Sequence, residues 1–169
     1  GTEFMLGNIK LSVIHVPGTT PSDMAYIAQD TTDSERSLAI FVGDTLFAPD
    51  VGTARVDFPG GDVNDLYHSI QKILSLPGDT EIYLCHDYPP EGREHCPVTT
   101  VAAEKAENIH VRDGISQAEF AKMRTERDAT LDMPRLIIPS VQVNIRAGEF
   151  PEPEDNGVRY LKVPINTLQ

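Results

Sequence analysis

The chain has 169 residues, a length that suits one domain with a sizeable core. Its 14 Lys and Arg stand against 26 Asp and Glu, a formal charge of −12, so neither nucleic acid nor an anionic membrane surface is an expected partner. No apolar run approaches the roughly 20 residues of a membrane span, and two cysteines, Cys85 and Cys96, are too few for a disulfide scaffold and fit a reducing cytoplasm.

Gly1-Thr2-Glu3-Phe4 ahead of Met5 reads as a cloning remnant, so residues 1–4 are set aside and 5–169 are read as a single domain. With no basic stretch and no apolar stretch behind it, this opening is not a signal peptide. Residues 9–16 alternate Ile9, Leu11, Val13 with Lys10, Ser12 and predict a strand, broken at Pro17-Gly18. Residues 24–28 predict a second strand. Residues 37–42 predict a third, so uniformly apolar that burial on both faces is expected. Residues 52–61 form a loop with three glycines. Asp62 can cap a helix over 62–76, where Leu66, Ile70, Ile73 and Leu74 recur at helical spacing before Pro77-Gly78. A short strand over 81–85 delivers His86-Asp87-Tyr88 to its C-terminal end. Thr99 or Thr100 caps a helix through 108, and Ser116 to Glu119 has the spacing of a capping box opening a helix through about 130. Residues 134–169 are Pro-rich, with short strands expected at 142–146 and 158–163. Strands that alternate with helices define an α/β layered domain. Sites in such sheets gather at strand C-termini, which places the 17–23 loop, Asp44 and His86 at one rim.

Asp44, between Gly43 and Thr45 after an apolar strand, reads as a hard oxygen ligand for a metal or as an Asx turn or cap. His86 reads as a ligand, a general base or a structural strand-end residue, with Asp87 able to orient it. Cys85-His86 and His95-Cys96 form a mirrored pair, but they lack zinc-site spacing, and neighbours on a strand point to opposite faces. Arg55 reads as a carboxylate clamp or as a salt-bridge partner of Asp57 or Asp62, and Tyr88 is equally open.

Several strings match one family together: residues 16–26 with Pro17-Gly18-Thr19-Thr20-Pro21, 41–47 with Gly43-Asp44-Thr45, 52–58, 66–70, 76–79 and 82–88 with His86-Asp87-Tyr88. In order and spacing they resemble the second half of glyoxalase II and, more closely, of persulfide dioxygenases, both in the metallo-β-lactamase superfamily. The resemblance covers roughly residues 9–147. It implies part of an αββα sandwich lacking its N-terminal half, zinc or iron as the family metal, and a glutathione-type thiol substrate. It also implies that Asp44 and His86 are metal ligands and that Arg55, with Tyr88, lies on the substrate side.

Two departures stand out. Thr19 occupies the position of a family histidine ligand, and a hydroxyl is a far poorer ligand than imidazole. The family's upstream His-x-His-x-Asp-His string has no counterpart among the five histidines. With Asp44 and His86 alone, metal binding is expected to be weak or absent. The chain is expected to be inactive by itself, as a truncated metal-dependent hydrolase or sulfur dioxygenase. The alternatives are a non-catalytic binding module that keeps half of the fold, and a small enzyme with a rearranged site. Half a sandwich leaves an apolar sheet face open, so a homodimer or the missing N-terminal half is the expected partner.

Overall fold

The computed structural model describes residues 2–165 and divides into two compact units, one up to Thr130 and one from Leu131. The division falls where periodic apolar patterning gives way to the Pro-rich C-terminal stretch.

The first unit is built on one six-stranded sheet in the order β1 (Glu3–Leu6), β2 (Ile9–His15), β3 (Met24–Asp30), β4 (Ala39–Phe41), β5 (Glu81–Tyr83) and β6 (Val98–Thr100). Neighbours are antiparallel except β4 and β5, which are parallel and paired Ile40 with Ile82 and Phe41 with Tyr83. Glu3 and Phe4, set aside above, belong to β1: they pair with Ser12 and Leu11, and the Ser12 hydroxyl donates to Glu3 at 3.1 Å.

Helices α1 (Val63–Leu74), α2 (Val101–Glu107) and α3 (Gln117–Asp128) follow the expected capping chemistry. Asp62 accepts from the amides of Asn64 and Asp65. Thr100 accepts from Ala103, and Ser116 with Glu119 forms a reciprocal capping box. The core joins the helices to one face of the sheet. Ala25, Ile40, Val42 and Ile82 meet Leu66, Ile70 and Ile73 of α1, Val101 of α2 and Phe120 of α3, all fully buried. Burial of each large side chain contributes about 1.5–3 kcal/mol.

Burial of β4 on both faces does not hold. Ile40 is fully buried but its neighbour Phe41 is 45% exposed, because successive side chains alternate across the sheet. Phe41 stacks on Tyr83 at 5.0 Å between ring centroids, and Tyr26 is exposed beside them across the β3–β4 pairing. The first unit is thus one sheet with helices on one side, the partial sandwich read from the sequence.

The second unit holds α4 (Ile137–Asn144) where a strand over 142–146 was expected. Pro139 falls in the first turn, where its missing N–H costs nothing, so the Ile-Ile-Pro-Ser-Val run closes as a helix. Residues 158–163 form no strand either; Gln142 instead holds Lys162 through both backbone groups, at 2.7 and 2.8 Å. Among the described residues no helix is long and apolar enough to cross a membrane.

Candidate metal centre

The antiparallel pairings of β2–β3 and β3–β4 make β2 and β4 run the same way, and β5 follows β4. Their C-terminal ends therefore share one rim. Asp44 lies three residues beyond Phe41, and His86 lies three residues beyond Tyr83; Phe41 and Tyr83 are paired in register. Equal offsets from a parallel pair bring the two side chains together, with His86 Nε2 3.3 Å from Asp44 Oδ1. Gly43, at φ 56, supplies the left-handed turn that ends β4 and aims Asp44 outward.

The donor atoms of Asp44, Cys85 and His86 all lie within 4.8 Å of one another, and all three residues are exposed. Tetrahedral zinc with bonds of about 2.1 Å separates its ligand atoms by roughly 3.4 Å, close to the 3.3 Å of the His86–Asp44 pair. The Asp44–His86 spacing is therefore that of two ligands on a zinc-sized ion. Tyr88 sets its ring 6.0 Å from that of His86 and packs edge-on to Phe47 at 5.8 Å.

Asp87 does not orient His86. Its carboxylate accepts from Arg93 at 2.6 and 2.8 Å and from the Cys96 amide at 2.6 Å, and Arg93 holds it well below the usual range, at about 2. Arg93 also donates to Asp50 at 2.6 Å, tying the loop after His86 to the segment after Asp44. The mirrored cysteine–histidine pairs do not form a four-ligand zinc site. Cys96 donates to the Val98 carbonyl at 3.2 Å, and the His95 ring lies 3.8 Å from Asp87.

Arg55 takes its salt-bridge reading. Its guanidinium donates to Asp57 at 2.6 Å and lies 5.0 Å over the Phe58 ring. The Thr19 hydroxyl donates to the Arg55 carbonyl at 3.0 Å, which fixes the rim loop to the glycine-rich loop. Gly18 lets the same rim loop lie close against α1, since a Cβ there would meet the Leu66 backbone at 2.7 Å.

Sequence reasoning missed the side chains that hold the loop carrying Arg55. His110 Nδ1 accepts from the Thr53 amide at 3.0 Å, buried Arg124 donates to the Thr53 carbonyl at 3.2 Å, and Asp128 accepts from the Val56 amide at 2.9 Å. Arg124 and Asp128 themselves form an ion pair at 2.9 Å, with side chains 5% and 4% exposed. Asn108, anchored on Glu104 at 2.6 Å, donates to the Gly52 carbonyl at 3.3 Å. Burial pushes the Glu104 carboxyl up to about 7. The same effect, with Arg124 and Arg127 nearby, pushes His110 down to about 4. The four-residue spacing of Arg124 and Asp128 was the available signal, but it is also the spacing of an ordinary surface pair.

No family model matches the chain. It is 55% identical over 170 residues to a probable metallo-hydrolase of Burkholderia pseudomallei, covering 99% of this chain and 58% of that protein. It is 49% identical to glyoxylase B2 of Dictyostelium discoideum, covering 98% and 54% respectively. Among solved structures, ETHE1 from Myxococcus xanthus superposes with a TM-score of 0.72 at 32% identity, over 88% of this chain and 59% of that one. The chain spans little more than half the length of these relatives. Fold and likeness together define a metallo-β-lactamase-type architecture, present here as a single sheet with its helices. Within that architecture the chain is similar to metallo-hydrolases and to ETHE1.

Proposed function

We propose that this chain is the rim-bearing half of a metal-dependent hydrolase or sulfur dioxygenase acting on a glutathione-type thioester or persulfide, and that it needs a second structural layer to turn over. The observation that carries this reading is the register-enforced meeting of Asp44 and His86 at 3.3 Å, with Tyr88 alongside. The names of the relatives, glyoxylase and metallo-hydrolase among them, support the same class.

Zinc or iron bound at such a rim would supply a Lewis acid and an activated water or oxygen. The residues of this chain would place the reactants. Asp44 and His86 supply donors, and the exposed Tyr88 ring offers a face for the substrate next to them. The braced 52–57 loop presents Arg55, whose guanidinium is held by Asp57 and can serve an incoming carboxylate by exchanging that partner. A partner, either a second copy or the part of the relatives that lies outside the matched region, covers the open sheet face.

The test mixes this chain with the part of the Burkholderia relative outside the matched region, and assays thioester hydrolysis and glutathione persulfide oxidation. The chain alone, and Thr19→His alone, are expected to stay at background. The mixture is expected to co-elute and turn over in a metal-dependent way that Asp44→Ala abolishes. A complex that forms but turns over neither substrate would overturn the catalytic reading. Two folded parts that do not associate would overturn the missing-layer reading. Metal-dependent turnover by the chain alone would overturn the requirement for a second layer.

A further inference from the structure

We infer that Cys85 is the third ligand of a metal site complete within this chain, an oxygen–sulfur–nitrogen set of Asp44, Cys85 and His86. It selects zinc-class ions over magnesium or manganese. The inference rests on the reading of the rim as a metal site and changes its ligand count and its metal preference.

The obstacle in the sequence is that neighbours on a strand diverge. The structure removes it. Ladder pairing of β5 stops at Tyr83, and the last tie is the Leu84 amide to the Pro97 carbonyl at 3.0 Å. Beyond Leu84 the backbone is released from strand geometry, so Cys85 and His86 can both turn to the rim where Asp44 emerges. Cys85 is a free, exposed thiol, whereas Cys96 is partly buried and donates to the Val98 carbonyl. The two cysteines thus differ in their freedom to meet an ion.

Ligand number supports the same conclusion. Catalytic zinc keeps three protein donors and one open position. Thr19, at the position where the resemblance expects a histidine, has its hydroxyl turned to the Arg55 carbonyl. A thiolate at Cys85 restores three donors without that position. On binding, the thiol gives its proton to solvent and the sulfur donates to the metal; nothing is oxidised. A soft sulfur ligand among three favours zinc, cobalt and cadmium and disfavours the hard ions that prefer all-oxygen sites.

The experiment is a titration of the full, reduced chain with Co²⁺, followed by its visible ligand-field bands and by the near-ultraviolet thiolate-to-cobalt charge-transfer band. One Co²⁺ per chain with both signatures is expected, displaced by Zn²⁺ and unaffected by Mg²⁺. Cys85→Ser should lose the charge-transfer band and bind at least about 100-fold more weakly, since even groups one shell further out cost 10–100-fold. Cys96→Ser should keep both. Asp44→Asn with His86→Ala should abolish binding, with circular dichroism confirming the fold. Cobalt that binds through Asp44 and His86 but is indifferent to Cys85→Ser would overturn the cysteine ligand and leave the rim site standing. Absence of binding by the unmodified chain, or binding that depends on Cys96, would overturn both.

Discussion

Asp128→Ala is the sharpest test of how the Arg55 loop is held. Asp128 receives two guanidinium hydrogen bonds from Arg124 and the Val56 amide, and both members of the ion pair are about 95% buried. Removing one partner of a buried pair leaves an uncompensated charge and costs about 3–5 kcal/mol. An orphaned amide adds about 1–3 kcal/mol when water cannot reach it. The two losses overlap, so about 5 kcal/mol is expected, a large share of the 5–15 kcal/mol of a typical domain. With a urea slope of about 2 kcal/mol per molar, the unfolding midpoint should fall by roughly 2–3 M. The double variant Arg124→Met with Asp128→Leu removes both charges. It should recover more than half of the loss, because only the Thr53 carbonyl and Val56 amide then lack partners. A midpoint shift below about 0.5 M for Asp128→Ala, or a double variant no more stable than the single, would refute the buried-pair account.

Gly52→Ala should destabilise by about 2 kcal/mol or more, since Gly52 sits at φ 97 and a Cβ would lie 2.2 Å from His110 Nδ1; the urea midpoint reads it. Glu104, raised to about 7, contributes stability at low pH that is lost as pH rises from its unfolded value of 4.5 through 7. His110, lowered to about 4, contributes stability above its unfolded value of 6.5 that is lost as pH falls through 4. The two oppose each other between 4.5 and 6.5, so Glu104→Gln should unmask a rise of up to about 1.4 kcal/mol per pH unit across that window in urea melts; a flat profile would contradict the His110 assignment. The exposed face of Tyr26, Phe41 and Tyr83 should bring two copies together over more than about 2,000 Å² in total. Light scattering should then show a dimer that Phe41→Lys dissociates, and a stable monomer at micromolar concentration would exclude it.

Much of the first unit was readable in advance because local chemistry decides it. Asp62, Thr100 and the Ser116–Glu119 box announce three helix starts with side chains that find backbone amides within a turn. The rim was readable because Asp44 and His86 each follow a strand. The convergence of Cys85 was not readable, because where β5 stops pairing is decided by its neighbours and not by the Ile-Tyr-Leu-Cys run. Nor was the burial of Arg124 and Asp128, whose helix is polar enough to read as a solvated face. In the second unit the Val141, Val143 and Ile145 alternation has strand period, yet the chain closes a helix there; none of its residues is buried, so packing did not arbitrate. The pairing of Glu3 and Phe4 with Ser12 and Leu11 was not readable either, because it depends on a neighbouring strand and not on their own pattern.

The equal offset of Asp44 and His86 from the paired residues Phe41 and Tyr83 makes the ligand spacing a matter of counting. The first three residues beyond each of two adjacent parallel strands carry the donors, so Asp44 and His86 stay level although the loops they open differ in length. One deleted residue in either loop would draw its tip back by about 3.3 Å and part the donors, while a matched deletion in both would carry the pair inward intact. The site therefore travels with the β4–β5 pairing as a unit. Such a pairing would keep the carboxylate and the imidazole together through changes elsewhere at the rim, beside any third donor that lands there.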